Sequence, residues 1–153
     1  MSKRQRAILI KFAAVVLLTL IAVVVMINAK DWINRSEAKR AMKELGQRVL
    51  QYRKDHGSVP PEAYVTNIKK SLEGHVRLGD LKYRGRWIDF ESAPNEILAY
   101  TEKKYPSSLL SDGYIVLRLN GNVEWLGKQE FKTELARQQS QKEVEILRNQ
   151  SSN

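Results

Sequence analysis

The chain has 153 residues, 26 basic against 17 acidic, and 42% hydrophobic side chains, which suits one small domain rather than two. It has no cysteine, which excludes disulfides, thiolate metal sites and cysteine nucleophiles. The charge is unevenly spread. Residues 1–30 carry Lys3, Arg4, Arg6, Lys11 and Lys30 and no acid, leaving 21 basic and 17 acidic side chains beyond them. The basic pI is thus largely a property of the N-terminal segment, and nucleic acid is not an expected partner.

Residues 1–6 form a basic tail, and residues 7–29 read as a transmembrane helix. Phe12 to Ile27 is 16 residues long with only Thr19 polar, and starting at Ala7 extends the run to 21. At ~1.5 Å per residue that is roughly 31 Å, enough to cross a hydrocarbon core. Lys11 sits one turn inside and snorkels to the headgroups, while Trp32 falls in the opposite interface. A cleaved signal peptide is the competing reading, with Ile27 and Ala29 before the cut. The bulk of Ile27 and the lack of a helix breaker after it favour a retained anchor. Basic residues flank both ends, so charge alone leaves orientation open.

The helix is expected to continue into water. Ala38, Ala41, Met42, Leu45, Val49 and Tyr52 recur at spacings of three and four, with charged residues on the other faces. Gly57 and then Pro60-Pro61 end it, giving one helix of about 50 residues. A short helix is predicted for Glu62 to Glu73, with Val65, Ile68 and Leu72 inward. From Leu81 the period becomes two: Leu81 to Arg84 is a strand, Gly85 a turn, and Trp87 to Phe90 a resumed strand. A turn at Ser92–Asn95 precedes a strand over Glu96–Thr101, and Glu102 to Gly113 is a polar loop. YIVLRL, Asn120-Gly121 and NVEWL form a hairpin, for which a type I′ turn is predicted. Ile115, Leu117 and Leu119 share one face, continued by Val123 and Trp125. Lys128 to Arg137 is a helix with Phe131 and Leu135 inward, and residues 140–153 are a polar tail that Val144 and Leu147 would extend as helix. The predicted fold class is α+β: a long N-terminal helix, half transmembrane and half amphipathic, packed on a small antiparallel sheet, with a short second helix and a C-terminal helix over residues 30–139.

That arrangement resembles the pilin and type II secretion pseudopilin family. The likeness rests on the basic tail before an apolar helix, the amphipathic run LGQRVLQYRKDHGSVPPE with Tyr52, Gly57 and Pro60 in the family's "Y…G…P" pattern, and the small sheet that follows. The segment ending in NGNVEWL is similar to pilin-like proteins whose hairpin reads "DGHVEWL", with Asn120 and Asn122 in place of Asp and His. The family's prepilin-peptidase site, with a Glu five residues into the mature chain, has no counterpart: no Gly or Glu precedes Asp31. The resemblance implies a non-enzymatic, membrane-anchored structural or interaction protein, an accessory component of a secretion or pilus-type system without peptidase processing or conventional filament incorporation. It further implies the bacterial inner membrane, a cytoplasmic N-terminus and an extracytoplasmic domain. Membrane lipid and other membrane or secretion-system proteins are the implied partners, with self-association through the transmembrane helix. The loop from Glu102 to Gly113 is expected to face outward.

Chemistry is sparse. His56 and His75 lie beside glycines without ligand spacing, Ser107, Ser108 and Ser111 lack a nucleophile elbow, and Asp80, Asp89, Glu91 and Glu96 read as solvated acids. No enzyme, metal or cofactor is expected. Lys69, Lys70, Arg77, Lys82, Arg84 and Arg86, interleaved with Tyr83 and Trp87, suit a polyanion or an anionic headgroup, which makes a membrane-tethered envelope binding module the alternative function. A solvated basic face with core aromatics accounts for the same residues.

Overall fold

A computed structural model of the chain describes residues 3–88, 92–139 and 143–144. A single helix, α1 (Lys3–His56), runs through the apolar segment and on into the folded domain for 54 residues. Nothing interrupts it because no proline occurs in it. Gly57 stops it with a φ of +73°, its N–H donating to the Arg53 carbonyl at 2.8 Å. The segment is long and apolar enough to cross a membrane by length and composition.

Only the second half of α1 finds protein to pack against. Ala38, Ala41, Met42, Leu45, Gly46 and Val49 are its buried residues, the expected stripe with Gly46 added and Tyr52 half-buried at its end. Helix α2 (Glu62–Ser71) follows the Pro60-Pro61 break. It buries Val65 fully and Ile68 partly, and Leu72 closes it two residues sooner than predicted. A 3-10 turn at His75–Leu78 leads to β1 (Leu81–Tyr83).

The sheet is a four-stranded antiparallel meander in the order β1, β2 (Ile97–Lys103), β3 (Gly113–Arg118), β4 (Val123–Gly127). Alternation along the strands gives it two apolar faces. Ile115, Leu117 and Leu119 turn toward α1 and α2, with Val123 and Trp125 at the margin, as the odd-position pattern predicts, and the consecutive Leu98 and Ala99 join the same cluster where the β2 register is irregular between Ile97 and Ala99. On the opposite face Ile97, Val116 and Leu126 meet Phe131 and Leu135 of α3 (Lys128–Gln138). The sheet is therefore a middle layer between helices, which is why β3 is buried on both sides.

Two local expectations are corrected. Residues Gly85–Trp87 form a 3-10 turn rather than leading straight into a strand, and Asp89 and Phe90 lie outside the described residues. The β3–β4 turn is not type I′. Among the described residues only glycines have positive φ, so Asn120 does not adopt the left-handed conformation that type requires. Instead the Gly121 N–H donates to the Arg118 carbonyl at 2.9 Å, and the Arg118 N–H to the Asn122 carbonyl at 2.9 Å. This makes a three-residue loop in which Gly121 alone takes the left-handed position, at φ +86°.

Of the stretch read as a polar tail, Glu143 and Val144 are described, and Glu143 is buried. Val144 is helical and half-exposed, and Leu147 lies outside the described residues.

Candidate functional site

The strands run alongside α1, which gives the domain two ends. At the far end the hairpin approaches Leu50: a Cβ on Gly121 would meet Leu50 Cδ1 at 2.5 Å. At the near end the loop between β2 and β3, residues 104–112, closes against the part of α1 where the apolar run finishes. This corrects the expectation that the loop faces outward. The antiparallel meander decides it, because the β2–β3 connection must fall at the end of the sheet opposite the β3–β4 turn.

The loop is held at both its base and its tip. At the base, Asp112 accepts the Tyr105 N–H at 2.7 Å and the Lys128 ammonium at 2.9 Å. At the tip, Asn28 Oδ1 accepts the Leu109 N–H at 2.8 Å and the Ser108 hydroxyl at 3.3 Å. Asn28 Nδ2 meanwhile donates to the Val24 carbonyl at 2.8 Å, so the amide bridges helix and loop. Between them, Arg35 places its guanidinium 3.4 Å from the centroid of the Trp125 ring, and the Tyr105 ring stacks near Trp125 with centroids 6.2 Å apart. Burial lowers the Arg35 pKa and raises that of Tyr105.

The Tyr105 hydroxyl is buried without a hydrogen-bond partner among the described residues. An orphaned buried hydroxyl costs about 1–3 kcal/mol in desolvation. Tyr105→Phe, which keeps the ring contacts, is therefore expected to leave stability unchanged or raise it by about 1 kcal/mol. Denaturant unfolding in detergent micelles checks this, and a loss above that size would reveal a partner for the hydroxyl.

The base of the loop has a pH dependence of defined sign. The Tyr105 N–H bond first, then the Lys128 ammonium, hold the Asp112 carboxyl below the usual aspartate range. Its contribution is therefore present above the unfolded-state value and lost as pH falls through the lowered folded value. The protection factor of the Tyr105 amide, taken relative to its intrinsic exchange rate at each pH, is expected to hold at neutral pH and to fall only in acid below the ordinary aspartate range. Asp112→Asn should abolish that step.

The six basic candidates do not form one surface. Arg84 is only 3% exposed, and its guanidinium grips Glu143 with two bonds of 2.7 and 2.9 Å while donating to the Ile97 carbonyl at 2.7 Å. Arg77 pairs with Glu37 at 2.9 Å, Lys82 with Asp80 at 3.1 Å, and the Lys69 ammonium donates to the Gly79 carbonyl. Lys70 and Arg86 are exposed. The cleft of about 400 Å³ beside β1 is lined by Asp80 and Glu102 as well as Lys82 and Lys104, so its charges balance. Tyr83 belongs to the core margin, its hydroxyl donating to the Pro60 carbonyl at 2.8 Å, and burial pushes its pKa up.

Other candidates stay apart. His56 stacks on Tyr52 at the end of α1, and His75 bonds the Leu72 carbonyl. Ser107 and Ser111 are exposed loop residues, and Glu96 lies 3.7 Å from Arg84. Asp89 and Glu91 fall outside the described residues. Among the described residues no group of three His, Asp or Glu is placed to hold a metal ion.

Asn28 and the buried Arg84–Glu143 pair are the residues that reading the sequence missed. An amide at the end of an apolar run was a usable signal for the first; nothing local marked the second. No family model, no curated protein and no solved structure matches the chain.

Proposed function

We propose that this chain is a membrane-anchored structural and interaction protein of pseudopilin-like build, acting as an accessory component of a type II secretion or pilus-type system. The observation that carries the reading is the one unbroken helix that serves both as an apolar span and as the spine beneath a four-stranded antiparallel sheet. Exposed Ile, Leu, Val, Phe and Met side chains cover the helix from Ile8 to Met26, an apolar surface far larger than a soluble monomer leaves in water. Lipid and neighbouring transmembrane helices are the media that would cover it.

The N-terminus would be cytoplasmic and the domain extracytoplasmic, in the bacterial inner membrane. With no acid in the span to pair with a neighbour's N-terminal amine, the protein would join its assembly without peptidase processing. Its contribution would be contact rather than chemistry. The alternative, an envelope-polymer binding module, draws no support from a basic set that includes a buried Arg84 and ion-paired Arg77 and Lys82.

Two measurements test the proposal. Cross-linking in intact membranes followed by purification is expected to recover secretion or pilus components, and recovery of lipid alone counts against it. In spheroplasts, a single cysteine replacing the exposed Lys54 is expected to react with a membrane-impermeant reagent before lysis. Reaction only after lysis would invert the orientation.

A further inference from the structure

We infer that the loop from Tyr105 to Asp112 is a second membrane contact, dipping its tip into the lipid interface beside the span and so fixing how the domain stands on the bilayer. The inference rests on the membrane-anchor reading and adds the surface that meets lipid. Depth comes first. The apolar run ends at Ile27, so Asn28 stands at the hydrocarbon boundary, and the Asn28 amide is bonded directly to Ser108 and Leu109. The tip of the loop is thereby tied to that same depth.

The side chains at this level are those an interface accepts. Leu109 is 86% exposed and Trp32 63% exposed. Trp32 is four residues beyond Asn28, ~6 Å along the axis, which is within the headgroup layer. Indole rings are favoured there, and a leucine recovers its burial energy at the headgroup–acyl boundary that it forgoes in water. Lys30, between them in depth, is exposed and suits lipid phosphates.

The loop's backbone is prepared for a place poor in water. The amides of Tyr105, Ser108, Leu109 and Leu110 donate respectively to Asp112, to the Tyr105 carbonyl, to Asn28 and to the Ser108 hydroxyl. Pro106 has no N–H to satisfy. Irregular backbone near lipid is tolerated when its polar groups are already bonded. An exposed leucine on a loop whose tip amides, Ser108 to Leu110, are bonded within the protein fits a bilayer surface better than bulk water.

The native absence of cysteine allows single labels on the full chain in phospholipid vesicles. A polarity-sensitive fluorophore would be placed at Ser107→Cys beside the tip, at Lys54→Cys ~39 Å further along the helix axis, and at Val16→Cys within the span. Lipids carrying a nitroxide near the headgroup are expected to quench the Ser107→Cys label at least about threefold more than the Lys54→Cys label. Adding Leu109→Asp to the Ser107→Cys protein is expected to reduce that quenching by about twofold or more, because the charge drives the tip into water. Lipids carrying the nitroxide deep in the acyl chain should quench Val16→Cys. Equal quenching at Ser107→Cys and Lys54→Cys, with Val16→Cys quenched, overturns the loop contact and leaves the anchor standing. An unquenched Val16→Cys overturns both.

Discussion

Arg84→Ala is expected to destabilise the domain by about 3–5 kcal/mol, because it removes the guanidinium that forks onto the buried Glu143 carboxylate and the Ile97 carbonyl. Glu143 is 1% exposed and Arg84 3%, and the pair is bidentate at 2.7 and 2.9 Å. Arg84 also satisfies the Ile97 carbonyl at 2.7 Å, beside an Ile97 N–H that donates to Gln138 Oε1 at 2.8 Å. One guanidinium thus joins the turn after β1, the start of β2 and the segment beyond α3. Arg84→Lys should recover only part of the loss, since an ammonium cannot reproduce the fork. Arg84→Met combined with Glu143→Leu should fold about as well as the natural protein, because removing both charges removes the desolvation cost too. Denaturant unfolding in micelles, followed by near-UV circular dichroism, separates these outcomes. An Arg84→Ala protein within about 0.5 kcal/mol of the original would mean that water reaches the pair.

The same geometry changes how an anionic-polymer activity should be sought. Reversing Lys82, Arg84 and Arg86 together would confuse unfolding with loss of binding. Lys70→Glu with Arg86→Glu touches only exposed side chains and leaves the buried pair intact. Binding that survives this change would not be using the basic surface.

Most of the architecture was legible because it follows from periodicity, which is local. The stripe from Ala38 to Val49, the Pro60-Pro61 break, the two-residue alternation of β3 and the inward Phe131 each announce themselves within a few positions. What failed depended on partners distant in the chain. Arg84 and Glu143 are 59 residues apart, and a sequence shows only that each is charged. Ser108 and Leu109 meet Asn28 from 80 and 81 residues away, and which end of the sheet a loop occupies is set by the meander, not by the loop. The turn at Asn120-Gly121 was missed for a subtler reason. The dipeptide suits a two-residue turn, but here only glycine takes positive φ and the loop lengthens by one.

Gly46 is where local propensity and tertiary packing disagree, and the disagreement yields the second large effect. A glycine inside a helix costs about 1 kcal/mol relative to alanine, so its place in the middle of the buried stripe calls for a reason. The sheet supplies it: an added Cβ would stand 2.7 Å from Leu117 Cδ1, and Leu117 is fully buried on β3. Gly46→Ala is therefore expected to be nearly neutral, the helix gain offset by the shift of one methyl group. Gly46→Leu is expected to cost about 3 kcal/mol or more, since three further carbons must enter the space between α1 and the fully buried Leu117. The wedge would part α1 from β3 without touching the apolar span. Hydrogen exchange over Gly113–Arg118 should accelerate strongly while the protein still fractionates with membranes. Shrinking the partner, as Leu117→Ala in the Gly46→Leu background, should return part of the loss, giving a coupling of about 0.5–3 kcal/mol between the two sites. Additive effects, or a Gly46→Leu protein as stable as the original, would show that the helix does not approach the sheet this closely.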